Sequence, residues 1–434
     1  MKIDKYANIF YILTLIVIIF FPKINIVNVP GTYIGIRIED FLVLSFTIYY
    51  MVKTKCRLTQ LQNEEMKKVI LLFFVYICVC LLSTISGVIN ENIELAFGFL
   101  YLLRKIEYFI FIFIGFEFFK SEDNQKILFK ILDISIITHF VIALLQNYGM
   151  IGGVINGEYV STASSRTFST FNGPYEFSTY MTLLLPFYIV KALRCVKDRN
   201  ELVKSLIRIV CITFGVFMSQ SRTAIILLIA LLIITPIIEL RKSIFNFIKL
   251  NKFKSFMIVV LLITLITMIL AFLPKIDRFK SLEITSMLNT LEVSWENKDF
   301  ERYKEGGFYV ISTSNVDDSF AIRINKWMAL IDGTLQHPIF GLGLSVTREA
   351  CDGNYIRILA ESGVMGVICW IALIVVIFKS TLKSQNDINI IAKYGLVVLL
   401  LTAVFIDVFE ASKIMMFYWF IFGCLYASYN KKST

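Results

Sequence analysis

Long apolar runs alternate with shorter polar segments along most of this 434-residue chain. Twelve of the runs are about 15–25 residues long, enough for a helix to cross a bilayer core of roughly 30 Å. They predict transmembrane helices at 7–21, 38–52, 69–86, 98–119, 128–146, 174–191, 205–219, 223–239, 255–273, 353–378, 391–408 and 412–428. The first run lacks a small-residue cleavage site and further runs follow it, so we interpret it as a retained helix. The chain is predicted to be an all-α integral membrane protein.

Composition and charge refine this prediction. Hydrophobic residues make up 57% of the chain, and its mean hydropathy is +0.72. The net charge of +10 is concentrated in alternate loops, which is the positive-inside pattern of membrane proteins. The charge therefore predicts topology and not nucleic-acid binding. Both termini are predicted to be cytoplasmic, and the loops 147–173 and 274–352 to face outwards.

The predicted spans divide the chain into three parts. Residues 1–273 carry spans one to nine, 274–352 form a large extracytoplasmic loop, and 353–434 carry spans ten to twelve. Within the loop, the three- and four-residue spacing of apolar side chains predicts an amphipathic helix over 319–335. We expect its apolar stripe to pack on the membrane domain or to lie in the interface. The stripe consists of Ala321, Ile324, Met328, Ile331 and Leu335.

The segment 336–366 carries the densest group of unusual residues. Its HPIFGLG part predicts a turn, since proline lacks an N–H and glycine tolerates unusual dihedral angles. Polar side chains then enter an apolar helix, where ionisable groups are costly and indicate a functional site. These side chains are Asp352, Asn354, Tyr355, Arg357 and Glu361. Arg357 and Glu361, four residues apart on one helix face, also fit a mutual ion pair.

Four ionisable residues lie in or beside the predicted outward loops: Arg166, Arg222, Arg323 and Asp352. Arginine stays charged and presents a planar fork to phosphate oxygens, so this set suits a lipid-linked diphosphate. Fixed guanidinium groups would stabilise the charge that develops on such a leaving group. Asp352 or Glu361 is a candidate base for an acceptor hydroxyl.

Structural roles compete with these chemical ones. Arg222 sits in a short polar turn, where it would snorkel to the membrane interface. Arg323 fits a solvated helix residue, and Asp352 fits the N-cap of the helix that follows it. These alternatives stay open at the level of sequence.

Other chemistries find little support. Only His139 and His337 are available and the cysteines form no CxxC pair, so we expect no metal site. There is no Walker A loop and no dinucleotide-binding GxGxxG after a strand, so we expect no nucleotide cofactor.

Three blocks of this chain resemble the O-antigen ligase/Wzy-type polymerase superfamily. They are RTFSTFNGPYEFSTYMTLLLP (166–186), SQSRTAIILLIALLI (219–233), and Arg323-x-x-x-Trp327 followed by HPIFGLG and DGNYIRILAESGVMG. The resemblance implies a GT-C-like helical membrane glycosyltransferase in the bacterial cytoplasmic membrane. Its substrate would be an undecaprenyl-diphosphate-linked oligosaccharide on the outer leaflet. Arg166 and Asn172 would bind this substrate with the polar residues of the third block, and Arg222, Arg323 and Asp352 would act in catalysis.

One departure bears on the subclass. Ligase-type members carry a histidine where this chain has Asp352–Gly353, and an aspartate there looks more like the repeat-unit polymerases. The resemblance therefore favours polymerisation, with a chain-length regulator and a flippase of the same pathway as candidate partners. A glycan ligase using the same donor is the nearest alternative. A lipid-linked oligosaccharide flippase or a non-enzymatic scaffold is an alternative from another class, although the charges gather at one face and we see no internal repeat.

Overall fold

The computed structural model describes residues 2–28, 35–54, 63–155, 158–161, 166–194, 198–245, 252–272, 318–347 and 351–430. Most of these residues are helical. Thirteen α-helices occur in the described ranges: α1 Lys2–Phe20, α2 Ile38–Thr54, α3 Glu64–Ile89, α4 Leu95–Phe119, α5 Glu122–Asn147, α6 Pro174–Arg194, α7 Arg199–Met218, α8 Arg222–Phe245, α9 Lys252–Phe272, α10 Asp318–Gln336, α11 Asn354–Thr381, α12 Asp387–Thr402 and α13 Ser412–Asn430.

Each of the twelve predicted spans coincides with one of these helices, and α10 is the predicted amphipathic helix. Four helices, α3, α5, α8 and α11, are long and apolar enough in the described residues to cross a membrane. The full count of twelve crossings stays a prediction. Most of the 274–352 loop lies outside the described residues.

Two small antiparallel sheets add to the predicted all-α architecture. Strand β1 (Asn25–Asn28) pairs with β2 (Gly35–Arg37) between α1 and α2. Strand β3 (Gly153–Ile155) pairs with β4 (Glu158–Val160) between α5 and α6. Both sheets lie in connections that are predicted to face outwards.

Helices α6 and α13 form the centre of the bundle. Helix α6 packs against α7, α8 and α12, and α13 lies along α4. Small residues allow the close approach of α4 and α13. A Cβ atom at Gly115 would lie 2.0 Å from the Phe420 carbonyl oxygen, and one at Gly423 would lie 2.1 Å from that of Ile112.

Local sequence signals set several helix ends. The Asn63 side chain caps α3 by accepting from the backbone N–H groups of Glu65 (3.0 Å) and Met66 (3.1 Å). Pro174 opens α6, where the missing N–H carries no penalty.

One predicted boundary is wrong. The span predicted at 391–408 ends as a helix at Thr402, because the chain then turns into a 3-10 segment at Val408–Glu410. The apolar stripe predicted for α10 is divided between buried and exposed positions. Ile324 is buried, whereas Ile331 and Leu335 are 38% and 73% exposed. Ala329 and Leu330, outside the stripe, are also buried, and Leu330 packs with Cys351 and Ala360. The predicted place of the stripe, on the membrane domain or in the interface, stays a prediction.

Candidate functional site

The connections predicted to face outwards meet at one end of the bundle. Lys23, between α1 and α2, donates to Glu176 of α6 at 2.8 Å. Lys413, at the start of α13, donates to the Thr170 carbonyl and hydroxyl, both at 3.1 Å. Long-range polar contacts therefore fix these segments against one another, as a shared site requires.

Arg323 and Asp352 form an ion pair at this end. Arg323 Nε lies 3.0 Å from Asp352 Oδ2, and the side chains are 19% and 35% exposed. Burial alone would lower the pKa of the Arg323 guanidinium, but Asp352 and the Tyr175 hydroxyl outweigh it and the pKa is raised. The solvated alternative for Arg323 is thus wrong, because its side chain packs into the site.

Tyr175 connects two of the predicted arginines. The Arg166 guanidinium carbon lies 4.8 Å from the centre of the Tyr175 ring, a cation–π distance. Arg323 Nη2 donates to the Tyr175 hydroxyl at 3.4 Å. Two guanidinium groups that are 157 positions apart in sequence therefore share one aromatic side chain.

Arg222 is the first residue of α8. The turn before it contains Gln220 at a φ of +50°. Arg166 Nε donates to the Ser219 carbonyl of the same turn at 3.3 Å, and Thr167 N donates to the Met218 carbonyl at 3.3 Å. The block around Arg166 is thus anchored to the block around Arg222.

Asp352 occupies a turn with unusual backbone geometry. Its φ is +56°, a left-handed conformation that is uncommon for a residue with a side chain. Gly353, not Asp352, is the N-cap residue of α11, and no side chain caps this end. The capping role considered for Asp352 is therefore wrong, and its carboxylate faces Arg323 instead. Trp327 Nε1 donates to the Cys351 carbonyl at 3.1 Å and closes the turn on one side.

The HPIFGLG segment packs into a break in α11. Gly363 interrupts the helix with a φ of +62°, which frees backbone groups of the next turn. Val364 N donates to the Pro338 carbonyl at 2.9 Å, and Leu342 N donates to the Ala360 carbonyl at 2.8 Å. The HPIFGLG segment thus supplies hydrogen-bond partners for the backbone groups freed by the break. These contacts hold α11 in place next to the Asp352 turn.

A buried charge network lies below the turn. Arg357 Nε donates to Glu361 Oε1 at 2.9 Å, which is the ion pair predicted from their spacing. Arg357 Nη1 also donates to Asp407 Oδ2 at 3.1 Å. The Lys105 ammonium pairs with Glu410 and lies 3.9 Å from Glu361 Oε2. These contacts hold α4, α11 and the α12–α13 connection together.

The remaining predicted binding residues lie around the same connections. Asn354 is fully buried, and its Oδ1 accepts from Phe409 N at 2.8 Å. The exposed Tyr355 donates from its hydroxyl to the Leu400 carbonyl at 2.6 Å. Asn172 is half-buried in the loop before α6. Asn354 and Tyr355 therefore join α11 to α12 and to the segment after it, and Asn172 lies in the loop that carries Arg166.

Several polar residues of this end were missed by sequence reasoning. Lys23 carries no strong signal, because it sits in a short polar segment that resembles an ordinary loop. Lys105 and Glu176 had a usable signal, since they lie within the predicted spans 98–119 and 174–191 and a charge inside a span indicates a buried partner. Tyr175, beside Glu176, carries no charge to single it out.

The arrangement can hold an anion and accept a proton. Arg166, Arg222 and Arg323 supply permanent positive charge, and Asp352 supplies a partly exposed carboxylate. No group of three or more His, Cys, Asp or Glu side chains in the described residues could hold a metal ion.

Comparison with known proteins agrees with these observations. Residues 207–371 match the sequence model of a family described as O-antigen ligase. No curated protein matches the chain significantly. The matched range contains Arg222, Arg323 and the Asp352 turn, and Arg166 precedes it.

Proposed function

The match places this chain in the O-antigen ligase/Wzy superfamily, and from that premise we propose that it polymerises lipid-linked oligosaccharide repeat units. The donor would be a growing glycan on undecaprenyl diphosphate, and the acceptor a hydroxyl of the next lipid-linked unit. The product would be an O-antigen, capsular or exopolysaccharide at the outer face of the cytoplasmic membrane.

The observation that carries the proposal is a chain of contacts that links Arg166 and Arg323 through Tyr175 and ends at the Asp352 carboxylate. Arg166 and Arg323 share Tyr175, Arg222 follows the turn that binds Arg166, and Asp352 pairs with Arg323. A diphosphate leaving group gains negative charge as its bond to the sugar breaks. Fixed cations stabilise that charge more in the transition state than in the ground state.

In the proposed step, the acceptor hydroxyl oxygen attacks the anomeric carbon of the donor sugar. The bond between that carbon and the diphosphate oxygen breaks, and the diphosphate leaves with the bonding electrons. Asp352 takes the hydroxyl proton. Attack opposite the leaving group inverts the anomeric centre, and the step requires neither a metal nor a nucleotide.

A glycan ligase is the second candidate, because the matched family is described as O-antigen ligase. It would use the same donor and differ only in the acceptor. The aspartate at position 352, where the resemblance expects a histidine in ligases, supports polymerisation over ligation.

The test is reconstitution of the purified protein in vesicles with a defined lipid-diphosphate-linked repeat unit. A polymerase yields a ladder of glycans at multiples of the unit, and the ladder is lost in Arg323→Ala. Arg194→Ala is the matched control, because Arg194 lies at the opposite end of the bundle near Glu239. Transfer only to an added non-lipid-linked acceptor would identify a ligase. Movement of the lipid between leaflets without bond formation would identify a flippase and overturn the proposal.

A further inference from the structure

The Asp352 turn is held from below by a second carboxylate. Asp407 Oδ2 accepts from Cys351 N at 2.6 Å, and Asp407 Oδ1 accepts from Gly353 N at 3.2 Å. These two N–H groups flank Asp352 on either side. We propose that Asp407 is a positioning residue that holds Asp352 in the orientation the reaction needs.

The turn requires such a restraint. Asp352 has a φ of +56°, and a left-handed backbone is uncommon for a residue with a side chain. A conformation of this kind persists only where its surroundings fix it. Asp407 supplies two hydrogen bonds that are both available when the turn is left-handed, so it stabilises this conformation.

Asp407 is itself fixed. Arg357 donates to the same oxygen that accepts from Cys351 N, at 3.1 Å. Arg357 is held in turn by Glu361, and Glu361 accepts from the Thr347 hydroxyl at 3.1 Å. Arg357 and Glu361 are nearly fully buried, so Asp407 has little freedom to follow a moving turn.

The chemistry of the side chain predicts a specific defect. Both carboxylate oxygens of Asp407 accept from the backbone, but an asparagine has only one acceptor oxygen and would point an N–H₂ group at a donor. Asp407→Asn would therefore release one side of the turn and let the Asp352 carboxylate shift relative to Arg323. A misplacement of about 1 Å lowers a rate by about 100-fold.

This inference rests on the proposed function, since it assigns Asp407 a role through Asp352. The expected result of Asp407→Asn is a kcat about 100-fold lower. We expect KM for the lipid-linked donor to stay within about threefold, because Arg166 keeps Tyr175 and Ser219 and Arg323 keeps Tyr175. The rates are measured in reconstituted vesicles with the full chain, and the thermal midpoint of each variant is recorded alongside.

A double-mutant comparison separates positioning from a merely structural role. If Asp407 acts through Asp352, the variant carrying both Asp407→Asn and Asp352→Asn is as slow as Asp352→Asn alone. A double variant markedly slower than Asp352→Asn would overturn the inference. Glu410→Gln is the matched control, a buried carboxylate of the same connection that pairs with Lys105 and serves only the fold. It should lower the thermal midpoint while each folded molecule keeps its rate.

The outcomes distinguish a failure of the role inferred for Asp407 from a failure of the proposed function. Full activity in Asp352→Asn would defeat the proposed proton acceptor. An inactive Asp352→Asn with a fully active Asp407→Asn would overturn the inference alone. If Asp407→Asn does not fold, Arg357→Lys replaces it, because lysine keeps the charge at position 357 and loses the fork that bridges Glu361 and Asp407. A loss of about tenfold confined to kcat supports the inference, and an unchanged kcat overturns it.

Discussion

Replacement of Arg323 by alanine should abolish activity with little effect on stability. The change removes the guanidinium that lies 3.0 Å from Asp352 and reaches Tyr175. Removing one fixed donor from a site that stabilises developing negative charge costs about 2.7–4 kcal/mol, or about 100- to 1,000-fold in kcat. We therefore expect the initial rate of polymer formation to fall by about 100- to 1,000-fold.

The stability cost is smaller for a structural reason. The Arg323 and Asp352 side chains are 19% and 35% exposed, so the pair borders water and is screened. An ion pair at such a partly exposed position contributes on the order of 1 kcal/mol. A loss of this size lowers the thermal midpoint of a protein by a few degrees at most.

The assay combines initial rates in vesicles with thermal unfolding of the same preparations. Arg323→Lys keeps the charge but loses the planar fork, so we expect an intermediate rate, about tenfold below that of the unchanged protein. A rate within threefold of the unchanged protein in Arg323→Ala would refute the reasoning. So would a collapse of the thermal midpoint, because the lost activity would then reflect unfolding.

Three further predictions concern the supports of the site. Gly363→Ala should destabilise the protein by about 1–3 kcal/mol. The reason is that φ at Gly363 is +62° and a Cβ atom there would lie 2.4 Å from the Ile339 carbonyl oxygen. Gly173→Ala is the control, because a Cβ atom at Gly173 meets nothing within 4 Å and should leave the thermal midpoint unchanged. Arg357→Ala should cost about 3–5 kcal/mol by leaving buried carboxylates unpaired, and a midpoint equal to that of Arg323→Ala would contradict this. Burial, reinforced by Asp407, raises the pKa of the Cys351 thiol to about 12, so Cys351 should resist maleimide at neutral pH and react after unfolding, as followed by mass spectrometry.

The sequence allowed good prediction of the helices because apolar run length is a local property. All twelve predicted spans and the amphipathic helix coincide with observed helices. The burial of Leu330, outside the predicted stripe of α10, was not predicted because Leu330 packs against Cys351 and Ala360. Those partners lie beyond the helix, and periodicity does not reveal them.

The candidate residues could be proposed from the sequence, but their contacts could not. Topology placed Arg166 and Arg323 at one face, but their meeting at Tyr175 depends on how α6 and α10 approach each other. The role of Asp352 as partner of Arg323 replaces the expected cap, because a left-handed turn directs its carboxylate away from the helix end. A local pattern cannot specify that turn, since its hydrogen bonds come from Asp407, more than fifty residues later.

The most direct test of the central claim is the pool of lipid-linked glycans in a strain that lacks this protein, resolved by length and by membrane leaflet. A polymerase predicts single repeat units that accumulate on the outer leaflet while long chains are absent. Long chains trapped on the lipid carrier would contradict polymerisation and indicate a ligase. Single units confined to the inner leaflet would contradict the enzyme itself and indicate a flippase.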